Sequence, residues 1–233
     1  MKRMKRMLIA AVLITAIMLG GTGCMMNPMF KSKGADARDL ALAHMEDKYG
    51  EKFTYASGYG NSMSGTYQFF ATCDSLPGQE VLVEVENYGS KDRIFRDNYL
   101  AVKYQEETVD FLRECAGNVG NVYYTVGKNG QSETLAADAG FADFLADGRA
   151  KHHAIVEVSE ADFTGTEHWQ RMAEQVAEAC PNMDITVLVV ESSVYGTRDW
   201  DGLCRIMSLE TYVAMGKIYV NDGHMEIHWS GEV

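Results

Sequence analysis

Residues 185–191, Ile-Thr-Val-Leu-Val-Val-Glu, form a nearly continuous apolar run. A strand with one wet face alternates apolar and polar side chains, whereas a strand covered on both faces does not. The run therefore predicts a strand buried on both sides, within a mixed α/β portion of the chain. Its surroundings agree. Upstream, Thr164-Gly165-Thr166-Glu167 has capping-box spacing, opening a helix whose core face is Trp169, Met172, Ala173, Val176 and Cys180. Pro181-Asn182 ends that helix. Strands are expected at 121–126 and 154–158, with a turn at Gly127-Lys128-Asn129-Gly130 and a short helix around 141–147. Downstream, residues 217–220 and 224–229 flank Asn221-Asp222-Gly223, a hairpin signal because two of these residues tolerate positive φ.

The N-terminal half reads differently. Residues 36–49 predict a helix with Leu42, Met45 and Tyr49 on one face and Gly50 as its stop. Three β-type stretches follow, at 52–57, 66–73 and 79–88, separated by glycine- and serine-rich turns. In the second, Tyr67, Phe69, Ala71 and Cys73 share a side. In the third, Val81, Val83 and Val85 alternate with Glu84 and Glu86, which predicts one buried and one wet face. Residues 100–115 predict a further amphipathic helix. The expected fold class is α+β: an N-terminal helix packed on an antiparallel meander, then a second mixed α/β portion ending in a β-hairpin. A break near 116–120 divides 36–117 from 118–233, although one larger domain fits the same pattern. Residues 41–53, with the stop Lys48-Tyr49-Gly50-Glu51, resemble the small helix-on-sheet modules of bacterial secreted proteins of unknown role.

The first 23 residues have the grammar of a secretory signal. Met1 to Arg6 is basic, Met7 to Leu19 is apolar and uncharged, and Gly20-Gly21-Thr22-Gly23 is a small-residue exit. As a helix, residues 7–23 reach about 25 Å, short of the roughly 30 Å of a hydrocarbon core. Gly21-Thr22-Gly23-Cys24 resembles the lipobox of bacterial lipoproteins, with Gly21 where that family usually carries leucine. The resemblance implies cleavage after Gly23 and diacylation of Cys24, with palmitate-like chains anchoring the protein at the outer face of the cytoplasmic membrane. Small residues at Gly21 and Gly23 also suit an ordinary signal peptidase, which makes plain secretion the alternative. Residues 24–35, with Pro28 and Gly34, read as a tether.

Charge narrows the partners. The formal net charge is −12, and loss of Lys2, Arg3, Lys5 and Arg6 with the leader takes it to −16. So acidic a chain is repelled by phosphate backbones, which argues against nucleic acid and leaves an unknown protein or small-molecule ligand.

The chemistry-bearing motifs are sparse. No CxxC, HExxH, GxSxG, Walker A or GxGxxG pattern occurs, and Gly58 to Gly65 lacks the lysine of a phosphate loop. Cys73, Cys115, Cys180 and Cys204 allow two disulfides in an oxidising compartment, of undetermined pairing, or four buried thiols. His224, Glu226 and His228 share one strand face and are zinc-type ligands. Alternate strand residues stand nearly 7 Å apart, however, so one of them would need help from His152, His153 or His168. A cysteine–histidine pair using Cys204, the acidic pairs Glu106-Glu107 and Asp199/Asp201, and a recognition surface of Tyr59, Tyr67, Tyr195 and Trp200 complete the candidates. The expectation is a surface lipoprotein with a non-catalytic binding or structural module and no cofactor. The alternative is a secreted hydrolase or metal-dependent enzyme whose site is assembled from distant residues.

Overall fold

Helix α1 (Pro28–Tyr49) stops where Gly50 takes φ +69° and donates its N–H to the Glu46 carbonyl at 2.9 Å. That left-handed turn is cheap only for glycine, and it delivers the chain into the first strand. The computed structural model describes residues 28–61, 65–125 and 135–231. The leader with Cys24, most of the turn after Gly60 and the turn at Gly127–Gly130 lie outside them. Helix α1 starts eight residues before the expected Asp36, inside the stretch read as a tether. Residues Ala37–Val233 form one compact unit, and the description below concerns that unit.

Strands β1 (Phe53–Asn61), β2 (Tyr67–Cys73), β3 (Val81–Glu86) and β4 (Ile94–Asp97) pair antiparallel in sequence order. Phe53, Phe69, Ala71, Val81, Val83 and Val85 fill the inner face, under Ala37, Ala41 and Met45 of α1. Asp97 pins the helix end to the sheet. It accepts from the Tyr49 hydroxyl at 2.7 Å, the Lys48 ammonium at 3.0 Å and the Tyr99 backbone N–H at 3.0 Å. The outer face of β3 is not wet, contrary to expectation: Leu82 is 2 % and Glu84 6 % exposed. Register explains the carboxylate, because Glu84 stands directly between Gln68 and Arg96 on the neighbouring strands. Gln68 donates to it, and Arg96 bridges Glu84 and Glu86.

Beyond β4 the expected single helix is two, α2 (Tyr99–Lys103) and α3 (Gln105–Cys115), broken at Tyr104 with φ −103° and ψ 20°. Then come β5 (Asn121–Thr125), α4 (Phe141–Ala146), β6 (His152–Ser159), α5 (Thr166–Ala179), β7 (Met183–Val190), α6 (Trp200–Leu209), β8 (Ala214–Asn221) and β9 (His224–Gly231). The second sheet has order β5-β6-β7-β8-β9, all antiparallel except the β6–β7 pair. The α+β class therefore stands, with the meander, the mixed sheet and the terminal hairpin as expected.

Strand β7 is the two-faced strand of the sequence. Its Met183, Ile185 and Val187 join the large core with Trp169, Met172, Ala173 and Val176 of α5, while Leu188 and Val190 join Leu203 and Ile206 of α6. The helix after β6 thus covers one face of the sheet, and the helix after β7 covers the other. The capping box at Thr164 does not form. Gly165, with φ +94°, is the N-cap of α5 and offers no side chain. The hairpin turn does form, with φ 49° at Asp222 and 75° at Gly223.

Candidate functional site

Adjacent parallel strands whose following helices leave to opposite faces open a crevice at their carboxyl ends. β6 and β7 are such a pair. Ser159 and Ser192 face each other across it with hydroxyls 2.8 Å apart, and the Glu160 N–H donates to the Val190 carbonyl at 2.9 Å. From there residues 191–199 fold over the α6 side of the sheet, where Tyr195 and Trp200 pack half-buried against the smaller core.

Under that loop lies Glu157, 0 % exposed. Its Oε2 accepts from Asn121 Nδ2 at 3.1 Å, the Gly196 N–H at 3.1 Å and the Tyr123 hydroxyl at 3.3 Å. Its Oε1 is buried with no partner. The Tyr123 hydroxyl also lies 3.1 Å from the Arg198 carbonyl, and the Arg198 guanidinium has its own buried, unpartnered nitrogen, Nη1. Burial pushes the Tyr123 and Tyr195 hydroxyls up in pKa, and the negative Glu157 adds to both. Arg198 also lines an open cleft of about 560 Å³ with Thr197, Arg205 and Thr211. Glycine is needed at two positions here. Gly196 has φ +68°, and a Cβ on Gly120 would stand 2.5 Å from the Glu157 carbonyl oxygen. A buried polar atom left without a hydrogen bond costs about 1–3 kcal/mol. The bare Glu157 Oε1 could take a donor, and Arg198 Nη1, beside the cleft that Arg198 lines, could be met by an acceptor.

The residues singled out in the sequence fall elsewhere. His224, Glu226 and His228 line the exposed face of β9, where His228 Nε2 lies 3.6 Å from Glu226 Oε2. Among the described residues, no three His, Cys, Asp or Glu side chains are placed to hold a metal ion. The helper histidines are occupied singly: His168 Nε2 donates to the Ala116 carbonyl at 2.9 Å, and His153 Nδ1 lies 3.4 Å from Asp184. His152 is buried against Phe144, with Nδ1 2.8 Å from the Tyr124 hydroxyl and Nε2 unpartnered, and burial lowers its pKa to about 4.

Cys73, Cys115, Cys180 and Cys204 sit on separate elements as free thiols. Burial raises the pKa of each, that of Cys180 to about 12. A thiol held up in this way is a poor nucleophile, and among the described residues no histidine hydrogen-bonds to one. Cys204 lies on α6, and Asp199 is that helix's cap, accepting from the Gly202 N–H at 3.0 Å. Glu106 and Glu107 stand exposed on the first turn of α3. Tyr67 packs with Phe69 and Tyr88 on the first sheet, while the Tyr59 side chain lies outside the described residues. Among the described residues no helix is long and apolar enough to cross a membrane.

Glu157 sits within the expected strand 154–158, where period-2 alternation makes one charge look solvent-facing. In Ala-Ile-Val-Glu-Val, apolar residues two positions before and one either side of the carboxylate mark it as buried.

No protein-family profile matches the chain. Among curated proteins there is likewise no significant match. A solved structure of a DUF5037 family protein from Ruminococcus gnavus ATCC 29149 is similar over 80 % of this chain and 92 % of its own, at 11 % identity and a TM-score of 0.42.

Proposed function

We propose that the chain is a membrane-anchored surface lipoprotein whose α+β region is a non-catalytic binding module. Its ligand is a small polar molecule carrying both a cationic donor and an anionic acceptor, of which a free amino acid is the simplest. The reading rests on one observation: Glu157 Oε1 and Arg198 Nη1 are both buried and both unpartnered. Donation to the first and acceptance from the second would satisfy two buried atoms that have no partner in the protein. Tyr123 and Tyr195 pack half-buried on the smaller core beside Glu157, and Arg198 lines a cleft with Thr197, Asp199 and Arg205. The leader and Cys24 support the address, and the acidic net charge favours a ligand with a cationic end.

Calorimetric titration of the mature chain with free amino acids, followed by mass spectrometry of the recovered ligand, tests the function. A Kd of roughly 1–100 µM, lost in Glu157→Gln and in Arg198→Met, with the ligand returned intact, is expected. Absence of heat with every amino acid overturns the ligand class, and a cleaved or altered ligand favours a hydrolase. Cys24→Ala should abolish palmitate incorporation and release the protein from the membrane fraction.

A further inference from the structure

The two sheets end in four edges among the described strands, and three are protected. β1 carries register shifts at Tyr55/Ser57 and Gly58/Gly60, β4 is 4 residues long, and β5 is 5. Bulges and shortness are common defences against edge-to-edge pairing. β9 has neither. It runs 8 residues, pairs with β8 in unbroken register along its length, and contains no proline or lysine. Its polar face is the exposed row His224, Glu226 and His228, and its other face carries Met225, Ile227 and Trp229, half-buried beside α5.

We propose that β9 is a homodimer edge, at which a second copy of this chain adds its own β9 antiparallel to form one continuous ten-stranded sheet. The argument is self-complementarity. With a two-fold axis through Ile227, Glu226 stands opposite the partner's His228 and His228 opposite the partner's Glu226. Met225 meets the partner's Trp229 on the other face. Directly opposed residues on antiparallel strands have Cβ atoms about 5 Å apart, close enough for a carboxylate to accept an imidazole N–H. Sliding the pairing by two residues sets Glu226 against its own copy or His228 against its own copy, so charge selects one register. Beside the edge, Ile227 and Trp229 form with Thr166, Glu167, Gln170 and Arg171 of α5 an open groove of about 470 Å³. The same two-fold relates the two α5 helices that border this groove in each copy. This is an isologous interface, one patch meeting itself, and it closes at two copies. It gives His224-Met225-Glu226-Ile227-His228-Trp229 a job that metal binding does not.

Sedimentation equilibrium of the full chain in density-matched detergent tests the proposal. The wild type should be dimeric in the micromolar range. Glu226→Lys should weaken the dimer at least about tenfold, and Glu226→Lys combined with His228→Glu should restore it. Both side chains are more than two-thirds exposed, at 74 % and 68 %, so neither change threatens folding. Ile227→Cys, on the axis, should give a disulfide-linked dimer under mild oxidation that the wild type, with its own cysteines, does not. A wild type monomeric up to about 100 µM overturns the proposal. So does a dimer indifferent to Glu226→Lys, or a charge swap that fails to restore association.

Discussion

Glu157 holds the β7–α6 loop against the sheet with one oxygen and leaves the other bare, so its two oxygens have separable effects. Glu157→Ala removes the acceptor for Asn121, Gly196 and Tyr123 and should cost about 3 kcal/mol, read by urea unfolding. His152 gives a pH-dependent effect. Its folded pKa of about 4 lies below the value of about 6.5 expected in the unfolded chain. Between these values the unfolded state binds a proton that the folded state refuses, so stability contributed by the neutral ring is lost as pH falls from about 6.5 to about 4. The loss should approach 3 kcal/mol in order of magnitude, and His152→Gln should flatten that part of the stability–pH curve. Glu157 is legible in the sequence only through the apolar residues around it, and His152 is not legible at all. His152 adjoins an exposed-looking His153, and the burial that defines it comes from Phe144 and Tyr124, distant in the chain.

Elements with strong periodicity were the readable ones. Helix α5, strand β7 and the β8–β9 hairpin follow the sequence pattern closely, because each buries a wide apolar face or uses a turn with positive-φ residues. The missed elements bury little or carry contrary residues. β4 is four residues of mixed polarity, Ile-Phe-Arg-Asp, and α6 has Gly202 in its first turn and only Leu203 and Ile206 buried. The capping box failed because Gly165, with φ +94°, takes the N-cap position itself. Within the hairpin, Gly216 is the position of closest approach: a Cβ there would stand 2.7 Å from the Trp229 ring carried by the paired strand. Gly216→Ala should lift the indole off β8 at a cost of about 1–3 kcal/mol, with red-shifted tryptophan emission as the readout.

Across the whole folded part, one buried cluster runs from Ala37 in α1 through both sheets to Val220 in β8. The break expected near residues 116–120 marks the change of sheet, and the hydrophobic contacts cross it. Unfolding of this part should therefore be a single transition, with far-UV and near-UV circular dichroism coincident; two resolved steps would contradict that. The proposed binding site sits on the smaller, opposite core, where Glu157 Oε1 and Arg198 Nη1 have no partner. A site kept ready for a ligand is less stable than it could be, and a purely structural carboxylate is not. Thermal unfolding of the wild type and Glu157→Gln, each with and without free amino acids, separates the two most directly. The account predicts that the ligand-free Gln variant melts about 2–4 °C higher than the wild type and that only the wild type is raised by ligand. A Gln variant that melts lower, with the same response to ligand as the wild type, would contradict it.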